Sequence, residues 1–268
     1  MWYAWALLLS CLSQVTSITL WKQNSFTESR FLDDWNVDSS RDFGDESMSV
    51  VDDPGNTSSR KKVLRIFYKE GSYSGSGDYR GAQFYSRPIS PRSCLTLDYK
   101  IYFANNFDFV KGGKLPGLWG GNLDCSGGRN ADNCFSTRYM WRSGGDGVVY
   151  AYIPDSQKTG FCDRNHVHCN YDYGHDLGRT WAFKTGEWQK IRQTVKLNSP
   201  GQQDGVLTVK FNRKKVLQMK ELVFRESDNI EIEGIFFSTF FGGGSPSWAT
   251  PVDTYTYYKD FKLSDRGC

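Results

Sequence analysis

The sequence is poor in histidine, nearly balanced in charge, and without long apolar runs or helical repeats. Its three histidines all fall between Cys162 and His175, which confines imidazole chemistry to one short stretch. Lys and Arg total 33 against 30 Asp and Glu, and the balance of +3 is too small for wholesale wrapping of duplex nucleic acid. Apart from a shorter N-terminal stretch, no apolar run approaches the roughly 18 to 20 residues that span a bilayer, so an integral membrane protein is not expected. No Gly-Lys-Ser/Thr follows the glycine-rich run after Lys111 and no helix is signalled there, which argues against a phosphate-binding loop. Internal repeats, low-complexity tracts and Pro- or Ser-rich linkers are also missing, so one domain is the simplest count.

What is present points to export. Trp2 to Leu12 is an apolar stretch of signal-peptide length, and Val15-Thr16-Ser17 offers a cleavage site before Ile18, although a basic leader is missing. The expectation is a signal peptide over 1–17, a single mature domain over 18–268, and an extracellular location. Removal of Cys11 leaves Cys94, Cys125, Cys134, Cys162, Cys169 and Cys268, an even number that suggests disulfides in an exported chain. Cys125/Cys134 and Cys162/Cys169 close short loops and are the expected pairs. Cys94 and Cys268 are a third pair or two free thiols. Asn56-Thr57-Ser58 is a glycosylation sequon among turn residues.

Short alternating runs bounded by Gly, Pro, Asn and Asp recur along the chain, an all-β pattern. Expected strands are 62–68, 81–86, 94–103, 135–142, 148–153, 188–197, 205–211, 214–222, 234–241 and 255–263. That number suits a two-sheet antiparallel sandwich or jelly roll.

The most informative stretch is Phe135 to Ile153. Strand alternation places Phe135, Thr137, Tyr139 and Trp141 on one face, as core, and Ser136, Arg138, Met140 and Arg142 on the other. A five-residue loop, Ser143 to Gly147, then makes a hairpin in which Met140 opposes Tyr150 and Arg138 opposes Tyr152. Ser136, Arg138, Tyr150 and Tyr152 therefore cluster on a non-core face. Upstream, Lys111 to Gly121 reads as a glycine-rich loop that brings Lys114 and Trp119 towards a ligand.

A Lys, an Arg, two Tyr and a Ser without paired carboxylates suit β-elimination on an acidic polysaccharide. The proton beside a uronate carboxylate becomes acidic only when that charge is offset, and Arg138 can do so through a bidentate contact. A base then removes the C5 proton and an acid protonates the departing O4, and Tyr serves either step. Its pKa of about 10 needs lowering, for which Lys114 and Arg138 supply the field.

Gly113 to Gly121 with Lys114, Cys134-Phe135-Ser136-Thr137-Arg138 and Tyr150-Ala151-Tyr152 together resemble polysaccharide lyase family 14, especially the secreted digestive alginate lyases of herbivorous marine molluscs. The likeness extends to Phe240-Phe241-Gly242-Gly243-Gly244, Trp248 and the terminal Tyr-rich strand. It implies a jelly-roll, endolytic lyase of mannuronate-rich alginate, secreted into digestive fluid and needing no cofactor. The family's active-site residues carry over to Lys114, Ser136, Arg138, Tyr150 and Tyr152, and its disulfide to Cys125/Cys134. By that likeness Tyr150 is the principal acid/base group and Lys114 polarises the site or shares proton transfer, while Tyr152 and Ser136 position the sugar. The implied partner is anionic polysaccharide, with no nucleic acid or membrane, and the protein is expected to be a monomer.

Other readings compete. A lyase on another polyuronate, such as glucuronan, has the same chemistry, and a non-catalytic jelly-roll lectin would use the nine Trp and fifteen Tyr. Glu226-Ser227-Asp228-Asn229-Ile230-Glu231 mimics a glucanase's carboxylate spacing, but Asp228-Asn229 reads as a surface turn. His166 and His168 could hold zinc, yet the flanking cysteines fit a disulfide better. Arg60-Lys61-Lys62 and Arg213-Lys214-Lys215 could attract a polyanion, although each run alone reads as a solvated turn.

Overall fold

In the computed structural model, residues 17–27, 32–56 and 58–268 are described, so the expected signal segment and Thr57 of the sequon lie almost wholly outside them. The strands are β1 Thr19–Gln23, β2 Val37–Phe43, β3 Met48–Asp52, β4 Lys62–Tyr68, β5 Ala82–Ser86, β6 Cys94–Phe103, β7 Gly112–Gly121 and β8 Cys134–Arg142. They continue with β9 Asp146–Tyr152, β10 Val167–His168, β11 His175–Ala182, β12 Gln189–Lys196, β13 Gly205–Phe211, β14 Lys214–Leu222, β15 Gly234–Thr239 and β16 Thr254–Ser264.

These strands form two eight-stranded antiparallel sheets. The first runs β14-β13-β12-β6-β16-β4-β3 with β1 on β16, and the second runs β10-β11-β9-β8-β7-β15-β5-β2. The expected all-β sandwich is the observed fold.

Alternation explains how the sheets stack. In β12, Gln189, Ile191, Gln193 and Val195 are buried and alternate with Lys190, Arg192 and Thr194, which are only half-buried. The core between the sheets is aromatic: Trp35 packs edge-on against Phe84 and Phe261, and Phe84 stacks on Phe237 at 4.7 Å. Burying each such side chain contributes about 1.5 to 3 kcal/mol, so this layer dominates the stability.

Two expectations need correction. Lys111 to Gly121 is not a loop: from Gly112 onwards it is the ten-residue strand β7, between β8 and β15 in the centre of the second sheet. Its glycines are there for close approach, because a Cβ at Gly113 would enter the Trp141 ring and one at Gly117 would meet the Thr137 carbonyl. A bulge between Leu115 and Leu118 keeps both leucines in the core while leaving Lys114 and Trp119 on the outer face. Gln193 of the other sheet braces it, accepting from Leu118 N–H at 3.3 Å and donating to Thr137 O at 2.7 Å.

The hairpin register also differs. Arg138 opposes Tyr150, Ser136 opposes Tyr152 and Met140 opposes Val148. The turn is tighter than expected because Gly144 and Gly145 take φ of 69° and 86°, which lets β9 begin at Asp146. A shift of two residues preserves every face, so the clustering survives even though the partners change.

Candidate active site

On the outer face of the second sheet, adjacent strands β7, β8 and β9 bring together Lys114, Ser136, Arg138, Tyr150 and Tyr152. All five are nearly sealed, with Lys114 at 8% exposure and Arg138 at 1%. Lys114 Nζ lies 3.5 Å from the Tyr150 ring centroid and donates to Met140 Sδ at 3.1 Å, a weak acceptor. It forms no ion pair with a carboxylate among the described residues. Burial, reinforced by Arg138 and Arg142, holds the amine well below the usual lysine range, with Asp176 opposing.

Arg138 sits beneath the phenols, its Cζ 4.3 Å from the Phe236 ring and 5.9 Å from that of Tyr152. It donates to Ser238 Oγ at 3.1 Å, while its buried Nε has no partner. A bidentate contact with a substrate carboxylate therefore needs the tyrosine rings to move. In the resting site Arg138 acts through its field.

The expected lowering of the Tyr150 phenol is not found. Burial raises it, Tyr152 adds to the rise, and the Gly174 N–H, Arg138 and Arg142 pull the other way without prevailing. Desolvation disfavours the phenolate more than these neighbours favour it. The site thus pairs an amine biased towards its neutral form with a phenol that keeps its proton. Opposed environments of this kind suit one group to a base's task and the other to an acid's.

Two stapled loops cover the phenols. Gly128 N–H donates to Tyr152 Oη at 3.0 Å, and Gly174 N–H donates to Tyr150 Oη at 3.2 Å. Gly128 belongs to the loop closed by Cys125–Cys134, and Gly174 follows the loop closed by Cys162–Cys169. Ser136 Oγ donates to Cys125 O at 2.7 Å, so its hydroxyl holds this loop rather than facing an open groove. Cys94 and Cys268 form the third disulfide, settling the pair that sequence left open.

Sequence reasoning missed Arg142 and Asp176. Arg142 grips Asp176 through two hydrogen bonds, that from Nε being 2.9 Å, and Asp176 stands directly opposite Tyr150 across the β9–β11 pairing. Only the register of β11 reveals this neighbour. Tyr171 and Tyr173 were also missed: 73% and 55% exposed, they flank the cluster with their rings available to a sugar.

His175 is buried beside them. Its Nδ1 accepts from Asn170 N–H at 3.0 Å, and burial holds the imidazole below its ordinary pKa. His175, Asp155 and Tyr171 line both a recess of about 30 Å³ next to Tyr152 and a cavity of about 260 Å³ beyond it. His166 and His168 are exposed, and no group of three or more metal-ligating side chains converges among the described residues. Glu226 to Glu231 lies outside the strands, and Glu226 accepts from Ser156 Oγ at the surface.

A sandwich of two antiparallel sheets, with cations and phenols gathered on the outside of one, is the build of a polysaccharide-cleaving lyase. The family model described as Polysaccharide lyase 14 matches residues 56–261. The chain belongs to that family. It is similar to the solved marine PL-14 alginate lyase from Aplysia kurodai: 39% identity over 92% of this chain and 98% of that one, with a TM-score of 0.83. An alginate lyase from Chlorella virus shares the fold at 24% identity and a TM-score of 0.68, covering 86% of this chain and 93% of its own. Exolysin of Paramecium bursaria Chlorella virus 1 is 27% identical over 73% of this chain, which spans about a third (33%) of that protein's length.

Proposed function

We propose that the protein is a secreted, endolytic alginate lyase that cleaves mannuronate-rich chains by β-elimination. The observation that carries this reading is the Lys114–Tyr150 pair, an amine that burial biases towards its neutral form on the ring of a phenol that burial biases against ionisation, with Arg138 behind it. The amine of Lys114 takes the C5 proton, and the electron pair left on carbon delocalises into the uronate carboxylate, whose growing charge Arg138 offsets. The C4–O4 bond then breaks, C4=C5 forms, and Tyr150 O–H protonates the departing oxygen. The proton gained by Lys114 returns to the Tyr150 phenolate, which resets the site.

Tyr152 and Ser136 keep the covering loops in register, and Tyr171 and Tyr173 meet the incoming sugars. The three disulfides support a reading of export, and the exposed turn at Asn56 supports its glycosylation. Similarity to the Aplysia kurodai lyase supports alginate as the polymer.

The test is a panel of mannuronate-rich alginate, guluronate-rich alginate and glucuronan, followed by viscosity and product size. Fastest cleavage of the first, with an early fall in viscosity, is expected. Preference for either of the others, or release of products from one end alone, would overturn the specificity or the endolytic mode.

A further inference from the structure

The first sheet's outer face carries two sets of side chains that the elimination chemistry does not use. At one end aromatic rings adjoin in a row: Phe67 to Tyr255 at 5.2 Å, Tyr255 to Tyr257 at 6.3 Å, Tyr257 to Tyr102 at 5.7 Å and Tyr102 to Trp188 at 5.6 Å. Arg65 lies 4.8 Å over Tyr255, and Lys259 lies 4.0 Å over Trp188.

Further along the same strands the rings give way to cations. On β6, Tyr102 is followed on that face by Lys100 and Asp98, and these stand opposite Lys190 and Arg192 of β12, with Arg192 opposite Lys210 of β13. Successive ranks on one face are about 7 Å apart. Lys190, Arg192, Lys210, Arg213 and Arg266 line a single pocket of about 280 Å³.

The charges in this pocket do not balance. Asp98, 1% exposed, takes Arg192 at 2.8 Å and Lys190 at 3.2 Å. Lys210, Arg213 and Arg266 form no ion pair with a carboxylate among the described residues. Like charges held together in this way repel, and an incoming anion relieves the repulsion.

We propose that this face is a second, non-catalytic binding surface for an acidic polysaccharide, its half-buried rings Phe67, Tyr255 and Tyr257 packing on sugar faces and its pocket cations engaging carboxylates. Polyuronate is the ligand because the face sets rings beside a separate group of cations, matching a polymer with both apolar C–H faces and acids, whereas a polyphosphate asks for cations along its whole path. The choice of polyuronate rests on the elimination reading; the place of the surface does not. Lys114 and Tyr150 lie on the outside of the other sheet, so one molecule holds polymer on both sides. This gives Arg213, a turn residue in isolation, a collective role.

The experiment is native electrophoresis in gels cast with alginate or with a neutral glucan, comparing the wild-type protein with Lys210→Glu/Arg213→Glu and the milder Lys210→Gln/Arg213→Gln. Removing or reversing these two cations, Arg213 exposed and Lys210 half-buried, should lower affinity for alginate on the order of tenfold in the reversed variant and less in the neutral one. Retardation of the wild type should weaken with salt, and mobility in neutral glucan should not change. Turnover of a short oligosaccharide, too short to reach from the Lys114–Tyr150 site to the opposite sheet, should stay at the wild-type rate in both variants. Unchanged retardation of both variants in alginate overturns the second surface, as does equal retardation of the wild type in the neutral glucan. A wild-type protein that is retarded through Lys210 and Arg213 yet forms no unsaturated product sinks the elimination reading and leaves this surface standing.

Discussion

Lys114 Nζ rests 3.5 Å from the centre of the Tyr150 ring, so the amine lies over the face of the phenol that carries the proposed acid. Cation–π attraction of about 0.5 to 2 kcal/mol favours the ammonium there, but the burial that lowers Lys114 opposes it. Tyr150→Phe keeps the ring under Lys114 and removes only the acid. Turnover should fall roughly 10²- to 10⁴-fold. Leaving the buried Gly174 N–H without its acceptor costs about 1 to 3 kcal/mol, which the aromatic core should absorb. Initial rates together with thermal melting check both parts.

The acid limb of the pH profile belongs to Lys114 in this account, since only the neutral amine accepts the C5 proton. Arg142 lowers that amine and Asp176 raises it. Arg142→Gln should therefore move the acid limb of kcat/KM to higher pH, and Asp176→Asn should move it to lower pH. The double variant should return towards the wild-type profile. Because Arg142→Gln leaves the buried Asp176 carboxylate with only the distant Arg179, at 3.9 Å, melting temperature is measured alongside.

Arg138 predicts opposite effects on stability and activity. Its charge is sealed at 1% exposure with Nε unpartnered. Replacing a buried, incompletely bonded charge by an apolar chain of similar length removes its desolvation cost. Arg138→Met should melt at or above the wild-type temperature and lose nearly all activity, as calorimetry and initial rates would show.

The disulfides should separate by function. Cys94–Cys268 spans 174 residues and lies in the first sheet, whereas Cys125–Cys134 spans 9 and anchors the Gly128 loop on Tyr152. Chain entropy gives roughly 5 kcal/mol for the long closure and about 2.5 kcal/mol for the short one. Cys94→Ser/Cys268→Ser should lower the melting temperature more with kcat preserved, and Cys125→Ser/Cys134→Ser should lower it less while reducing kcat.

The strands most plainly visible in the sequence are those whose apolar and polar residues alternate, even where, as in β6, both faces end up largely covered. β4, β6, β13 and β14 begin and end where alternation places them. β7 was hidden because Gly112, Gly113, Gly117 and Gly120 resemble a loop, and their reason for being glycine is the Trp141 ring and neighbouring backbone that fold against them. The membership of the cluster was legible, since alternation fixes the face of Ser136, Arg138, Tyr150 and Tyr152. Its electrostatics were not: the cations near Tyr150 suggested a lowered phenol, and only the three-dimensional cover of Gly128 and Gly174 shows that burial prevails. The Arg142–Asp176 pair depends on a β9–β11 register that no local pattern encodes.

The most direct measurement is the ultraviolet absorbance of a C4=C5 double bond conjugated to the uronate carboxylate, followed as the protein meets mannuronate-rich alginate, with Lys114→Ala and Tyr150→Phe alongside. A steady rise with the wild-type protein and almost none with either variant is the predicted result. New reducing ends without that absorbance, or equal rates in all three proteins, would contradict it.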